Sequence, residues 1–188
     1  QFGIPAAWQT RAQRRVLATL LRNTSLRDEL GRVITALRQA NIGVIPVKGV
    51  VLAETIYGEL SVRPAADMDI LVRPQDLPAA RKVLYDLGYG HREELLFAER
   101  HHPYHDPQYF RQVDGNDLCL ELHWALWADR YFHLDSAVLW ERAVSGTLGG
   151  VPTSLLSPED TLLHLAIHRS RSAFRLRFLC DVAELLRV

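Results

Sequence analysis

Two aspartates one residue apart, Asp67 and Asp69, begin an apolar run that ends at Val72. Because side chains alternate across a β-strand, both carboxylates would lie on one face while Met68 and Ile70 point to the core. Two carboxylates this close repel each other unless a cation lies between them. Oxygen ligands of this kind suit Mg²⁺ or Mn²⁺. The pattern therefore indicates either a metal site or solvated acids at an exposed strand end.

A glutamate lies in the middle of a second apolar segment, Leu118–Trp124. Strand alternation places Cys119, Glu121 and His123 on one face and three leucines on the other. Burying an unpaired carboxylate is costly, so Glu121 either reaches the sheet edge, pairs with an arginine or joins a metal site. If this strand lies beside the one that carries the aspartates, the three carboxylates form a cluster that can hold two metal ions.

A strand, a glycine and a helix start follow one another over residues 44–52, with Lys48 and Gly49 at the junction. A helix N-terminus presents free N–H groups, and glycine lets a phosphate come close. Lys48 would add a positive charge beside them. The segment is not a Walker A loop, because G-x-x-x-x-G-K-[ST] is absent from the sequence. It predicts a phosphate contact or an ordinary tight turn.

The elements that would position these residues alternate between helical and extended patterns. We predict helices over residues 5–22, 25–39 (with Ser25 as its cap), 49–57, 74–87, 157–169 and 174–188. We predict strands over residues 44–47, 67–72, 109–113 and 118–124, and a hairpin over 144–156. This order indicates an α+β (mixed α/β) fold with a small mixed sheet flanked by helices. We expect a core with N-terminal helices over 1–156, followed by a helical region over 157–188 that is cut short.

The composition describes a folded globular protein. The 188 residues are 48% hydrophobic and carry no net charge, which argues against disorder and against a general nucleic-acid binder. No run approaches the roughly 18 apolar residues of a membrane span. We expect Cys119 and Cys180 to be buried free thiols in a cytoplasmic protein. The only methionine is Met68, so we expect the chain to be a piece of a longer polypeptide.

The chain resembles the bacterial "uncharacterised nucleotidyltransferase" family of the DNA polymerase β-like superfamily in a set of residues that occur in the same order along the sequence. The set consists of Lys48-Gly49, Leu52, Tyr57, Arg63-Pro64, Asp67–Val72 and Leu120–Trp124. Two later segments, His164–His168 and Phe178–Ala183, resemble the family's C-terminal helical region. The resemblance covers residues 14–186.

The resemblance implies a polymerase β-like nucleotidyltransferase core with a C-terminal helical appendage. The implied reaction moves a nucleoside monophosphate from an NTP to a hydroxyl or phosphate with the help of two metal ions, Mg²⁺ or Mn²⁺. We expect ATP as the donor and a small molecule or peptide as the acceptor. The implied metal triad and catalytic residues are Asp67, Asp69 and Glu121, and the implied glycine of the phosphate-binding turn is Gly49. Besides Gly49, the residues that we expect to contact the nucleotide are Lys48, Arg63 and His123.

The chain departs from the superfamily pattern around its glycine. The usual turn has serine or glycine after the first glycine, whereas Val50 follows Gly49 here. Asp67 lies 18 positions after Gly49, a longer gap than usual, and Arg63 in this loop can supply a phosphate contact. A kinase that uses the same metal site stays open as an alternative. So does a non-catalytic module that binds a peptide or protein; the missing serine favours it and the intact carboxylates argue against it.

The remaining histidines give weaker signals. His101, His102 and His105 offer zinc ligands beside Asp106 but lack the paired spacing of a zinc site. The segment that contains them fits a loop that covers the substrate.

Overall fold

The computed structural model describes residues 3–91, 108–113, 115–126, 128–129, 132–133, 135–170 and 176–187. The helices are α1 Ala6–Gln39, α2 Gly49–Thr55, α3 Leu77–Asp86 (after a 3₁₀ turn, Pro74–Asp76), α4 Ser136–Arg142, α5 Pro158–Ser170 and α6 Leu176–Leu185. The strands are β1 Ile45–Val47, β2 Met68–Leu71, β3 Gly90–His91, β4 Tyr109–Val113, β5 Asn116–His123, β6 Ala128–Asp129, β7 Phe132–His133, β8 Val144–Leu148 and β9 Val151–Leu155. Within these ranges, no helix has both the length and the apolar character that crossing a lipid bilayer requires.

The N-terminal segment forms one continuous helix, α1, so the prediction of two helices with Ser25 as a cap was wrong. Ser25 Oγ donates to the carbonyl oxygen of Leu21 inside the helix, at 3.2 Å. The neighbouring Asn23 is buried, and its side-chain amide donates to the carbonyls of Leu60 and Arg63. Asn23 therefore binds a distant loop, and neither polar side chain ends the helix.

Five strands form one mixed sheet in the order β1-β2-β5-β4-β3. β2 pairs in parallel with β5, and the other neighbouring pairs are antiparallel. The parallel register places Asp69 opposite Glu121 and Leu71 opposite His123. The predicted α+β fold with a small mixed sheet is therefore confirmed, and the sheet brings the two candidate carboxylate strands side by side.

The two faces of the sheet pack against different helices. One face contributes Met68, Ile70 and Val72 to the main core, as the alternation predicted, together with residues of α1, α2 and α3. Leu71, on the opposite face, packs in a smaller core that includes Leu139 of α4 and residues of α5. Asp69 precedes Leu71 by two residues on the same strand, so its side chain belongs to this second face.

The described residues from 144 onwards follow the predicted pattern. β8 and β9 form a hairpin in which Leu148 pairs with Val151 around two glycines. Ser157 Oγ accepts the backbone N–H of Asp160 at 3.1 Å, the contact of a helix cap at the start of α5.

Neither cysteine is buried, which corrects the expectation for both. Cys180 is exposed on the outer side of α6, and Cys119 is half-buried on the polar face of β5. The histidine-rich segment 101–106 lies outside the described residues.

Candidate active site

The central feature of the site is a pair of carboxylates on adjacent parallel strands. Asp69 of β2 lies opposite Glu121 of β5. Asp69 is only 3% exposed, and Glu121 is partly buried beside it. The structure therefore brings together two of the three acids that the sequence singled out.

His123 contacts both carboxylates of this pair. Its Nε2 lies 2.9 Å from Asp69 Oδ1 and 3.4 Å from Glu121 Oε2. Burial disfavours the charged imidazole, but the hydrogen bonds to Asp69 and Glu121 outweigh it and raise the pKa of His123. The neighbouring Gln108 Nε2 donates to Glu121 Oε1 at 2.9 Å. His123 was expected at the nucleotide, and the structure places it within the carboxylate cluster.

Lys48 supplies a positive charge next to Asp69. It follows Val47, which lies opposite Asp69 in the antiparallel pair of β1 and β2, and its Nζ lies 2.8 Å from Asp69 Oδ1. Burial opposes ionisation of Asp69, but the charge of Lys48 and the hydrogen bond with His123 hold its pKa well below the usual range. Asp69 is therefore ionised at neutral pH.

Asp67 lies beside the cluster, directly before β2. Burial, followed by the negative charges of Asp69 and Glu121, raises the pKa of Asp67 to about 6. The ligand atoms of Asp69, Glu121 and His123 lie within 4.8 Å of one another, whereas Asp67 is not part of this group and is coupled to it through the charges of Asp69 and Glu121. Three carboxylates whose charges repel, with oxygen as the main donor, fit a hard divalent cation such as Mg²⁺ or Mn²⁺.

Gly49 forms the turn between β1 and α2 at a place where a side chain would be crowded. Its φ is +37°, and a Cβ built there would lie 3.1 Å from the carbonyl oxygen of Asp67. The absence of a side chain thus lets this turn pack directly against the start of β2.

Arg63 lies behind the turn rather than at its surface. The guanidinium donates through Nε and Nη2 to the carboxylate of Asp181 in α6, at 2.8 and 3.0 Å, and through Nη1 to the carbonyl of Gly49 at 2.8 Å. The sequence predicted a phosphate contact for Arg63; the structure shows the residue 7% exposed and bound to these two partners.

Two residues that contact the site, Gln108 and Asp181, were not predicted from the sequence. Gln108 lies just before β4, where no pattern distinguishes it from an ordinary loop amide. Asp181 could have been found from the helical periodicity, because it faces the protein interior in an amphipathic helix whose other described charged residues are exposed or half-buried.

Solved structures with the same fold include nucleotidyltransferases. The solution structure of the antibiotic-resistance factor ANT(2'')-Ia has a TM-score of 0.62 at 13% identity, over 88% of this chain and 84% of that one. The crystal structure of ANT(2")-Ia in complex with adenylyl-2"-tobramycin has a TM-score of 0.59 at 14% identity, over 87% and 88%. The lincosamide antibiotic adenylyltransferase LnuA, with lincomycin bound, has a TM-score of 0.55 at 14% identity, over 85% and 95%.

No curated protein matches the sequence. The sequence profile of a family does: the family described as "Uncharacterised nucleotidyltransferase" matches residues 2–188. Since the match extends over nearly the whole chain, the protein belongs to this family of uncharacterised nucleotidyltransferases.

Proposed function

We propose that this protein is a Mg²⁺- or Mn²⁺-dependent enzyme that moves a nucleoside monophosphate from an NTP to a hydroxyl or phosphate of an acceptor. The observation that carries the proposal is the in-register pairing of Asp69 with Glu121 on parallel strands, with Asp67 beside them. We infer ATP as the donor because the similar structures include adenylyltransferases by name. Because the donor is an NTP, we keep the cytoplasm as the expected location.

The three carboxylates of Asp67, Asp69 and Glu121 would hold the divalent cations. When bound, such cations neutralise the charge of the phosphate oxygens and of the leaving pyrophosphate. Burial raises the pKa of Asp67 most, and the negative charges of Asp69 and Glu121 raise it further; this second contribution supports the assignment, because a cation would relieve the repulsion.

The protein's own residues would then orient the reactants. Lys48, at the end of β1, is close enough to the carboxylates to contact a phosphate oxygen of a nucleotide held there. Gly49 would let the phosphates approach the backbone of the turn. Arg63, which donates to Asp181 and to the carbonyl of Gly49, would support that turn from behind.

Glu121 and His123 would act at the acceptor. The acceptor oxygen forms a bond to the α-phosphorus while the bond to pyrophosphate breaks, and the acceptor's proton must leave. Glu121 would accept a hydrogen bond from the acceptor hydroxyl and help to remove this proton, while His123 holds Glu121 and Asp69 in place. In-line positioning and charge neutralisation would be the main sources of rate acceleration.

A small hydroxylated molecule is the acceptor class that the similar structures favour. ANT(2")-Ia was solved with adenylyl-2"-tobramycin and LnuA with lincomycin. We extend to this chain only the chemical class, a hydroxyl on a small molecule or on a peptide.

The test is to follow the label from ATP that carries ³²P at either the α or the γ position. Acceptor panels would contain aminoglycosides, lincosamides and hydroxyl-bearing peptides, each with Mg²⁺ or Mn²⁺. The proposal predicts transfer of the α label and release of pyrophosphate. Transfer of the γ label with formation of ADP would instead show a kinase.

Donor binding can be tested before an acceptor is known. A ligand that binds only the folded protein stabilises it by about 2.7 kcal/mol at one hundred times its Kd. For a chain of this size that is a rise in Tm of a few degrees. We expect this rise in Tm when one NTP and a divalent cation are added together. No rise with any of the four NTPs would favour a non-catalytic module that binds a peptide or protein.

A further inference from the structure

Asp181 is a buried carboxylate in α6, far along the chain from the site. It is 3% exposed and accepts three hydrogen bonds. Two come from Arg63, at 2.8 and 3.0 Å, and one comes from the hydroxyl of Tyr57, at 2.8 Å. The bond from each of two guanidinium nitrogens to a separate carboxylate oxygen makes the ion pair bidentate, which fixes the orientation of the arginine as well as its position.

The arginine held in this way reaches the turn that carries Lys48. Its remaining terminal nitrogen, Nη1, donates to the carbonyl of Gly49 at 2.8 Å. Lys48, the preceding residue, has φ +56° and ψ −151°, a backbone conformation that side-chain-bearing residues rarely adopt. Such a conformation persists only where surrounding contacts fix it, and the contact from Arg63 to Gly49 is one of these.

We propose that Asp181 is a positioning residue: acting through Arg63, it fixes the turn at Gly49 so that Lys48 Nζ lies on Asp69. The kinetic consequence of this proposal rests on the proposed nucleotidyltransferase function. The geometric part does not, because it concerns contacts within the protein. The C-terminal helical region is then part of the site rather than a separate attachment.

The contacts of the Asp181–Arg63 ion pair favour a role in positioning the turn at Gly49 over a role in general stability. A buried ion pair gains little net stability, because removing both charges from water offsets most of their attraction. An apolar pair would hold α6 at least as well, but it could not present a third donor to the carbonyl of Gly49. Arg177 of α6 also donates to the carbonyl of Pro64, the residue after Arg63. The helix therefore contacts the loop of Arg63 and Pro64 at two points.

The chain provides a direct probe of the geometry, because Lys48 and Lys82 are its only lysines. The side chain of Lys48 is 17% exposed in its ion pair, while that of Lys82 is 76% exposed on α3. Acetylation by an amine-reactive reagent at one fixed pH, followed by mass spectrometry, would compare the two rates within one sample. No nucleotide, metal or acceptor is needed.

Asp181→Asn keeps the size of the side chain but removes its charge. We expect it to increase the labelling rate of Lys48 roughly tenfold, the scale of one lost charge-assisted hydrogen bond, with Lys82 unchanged. Arg63→Gln is the second variant, since glutamine cannot span both Asp181 and Gly49 and adds no further amine to the labelling. It should give the same increase, and it decides the question if Asp181→Asn does not fold.

Asp160→Asn is the matched control. Asp160 is likewise a buried aspartate of the C-terminal helices, 1% exposed and paired with the guanidinium of Arg142. None of its hydrogen bonds involves the turn at Gly49. If Asp160→Asn lowers the Tm as much as Asp181→Asn does, it should still leave the labelling rate of Lys48 as in the wild type. Equal increases in Asp160→Asn and Asp181→Asn would overturn the proposal, as would unchanged labelling in folded Asp181→Asn or Arg63→Gln.

The kinetic readout follows once turnover can be measured. Asp181→Asn should raise the KM for the NTP roughly tenfold while kcat changes much less, because Lys48 would contact the phosphates before and during the reaction. A lower kcat with unchanged KM would contradict this assignment. If the wild type shows no turnover, the proposed function is wrong. The labelling experiment still tests the positioning role of Asp181, because it does not depend on turnover.

Discussion

Asp69 and Glu121 are direct neighbours in the parallel register of β2 and β5, although the two strands are far apart in sequence. The two carboxylates share His123 as a hydrogen-bonding partner, and Asp69 also pairs with Lys48. Asp67 is a third carboxylate near them, and burial, followed by the negative charges of Asp69 and Glu121, raises its pKa to about 6. We propose that this group of carboxylates binds divalent cations and the nucleotide.

Asp69→Asn should abolish nucleotidyl transfer without unfolding the protein. The change keeps the shape of the side chain but removes the charge that both Lys48 and the cation would use. We expect kcat to fall on the order of a hundredfold or more, the scale for losing an electrostatic group that acts on the transition state. Asp28→Asn, at a surface aspartate, is the control and should keep wild-type activity. A folded Asp69→Asn variant with normal turnover would remove Asp69 from the mechanism.

Asp67→Asn should make the protein more stable and less active. The pKa of Asp67 is about 6 in the folded protein, above its ordinary value of 3.8. The native state therefore binds more protons than the unfolded state between these values, and its stability falls as pH rises through them. In the absence of divalent cations, Asp67→Asn should raise the Tm at pH 7 and flatten its dependence on pH over this window. Thermal unfolding between pH 4 and 8 checks this; a lower Tm at pH 7 would contradict it.

Glu29 gives the opposite pH dependence. It is buried and accepts hydrogen bonds from Arg32, Tyr89 and Arg111. Burial opposes its ionisation, but the hydrogen bonds from Arg32 and Tyr89 outweigh this and hold its pKa below the ordinary 4.5. Its contribution to stability is therefore present above pH 4.5 and is lost as pH falls through the lowered pKa.

We accordingly expect Glu29→Gln to lower the free energy of unfolding by about 1–3 kcal/mol at pH 7, because the hydrogen bonds to a charged group are weakened. The difference from wild type should shrink as the solution is acidified. Urea unfolding at pH 7 and pH 3.5 measures both values. A difference that is the same at the two pH values would show that the charge of Glu29 contributes nothing.

Gly49→Ala should lower the free energy of unfolding by more than the positive φ of this residue alone explains. Both Gly49 and Gly58 have positive φ, at +37° and +66°. A Cβ at Gly49 would lie 3.1 Å from the Asp67 carbonyl, whereas a Cβ at Gly58 would meet nothing within 4 Å. We expect a loss of about 1 kcal/mol for Gly58→Ala and a larger loss for Gly49→Ala, together with weaker NTP binding only in the latter. Equal losses of stability would mean that the turn at Gly49 has room for a methyl group.

The strands of the site could be predicted because their patterns are local. Alternation of apolar residues identified β2 and β5 and placed Asp69 and Glu121 on one face of each. Their adjacency could not be predicted, because strand order depends on how the chain crosses between β2 and β5. Sequence patterns also missed contacts made across long distances. The predicted break between the helices over 5–22 and 25–39 falls at Asn23, whose side chain binds the loop around Arg63, and no local pattern indicated the ion pair of Arg63 with Asp181.

The most direct measurement is a titration of the protein with Mn²⁺, in which electron paramagnetic resonance follows the free ion, with and without a non-hydrolysable ATP analogue. We predict binding in the wild type that tightens when the analogue is present, and its loss in both Asp69→Asn and Glu121→Gln. Asp28→Asn should bind as the wild type does. Mn²⁺ binding that is unchanged in both active-site variants, or absent from the wild type even with the analogue, would contradict the assignment of this cluster as a nucleotidyltransferase metal site.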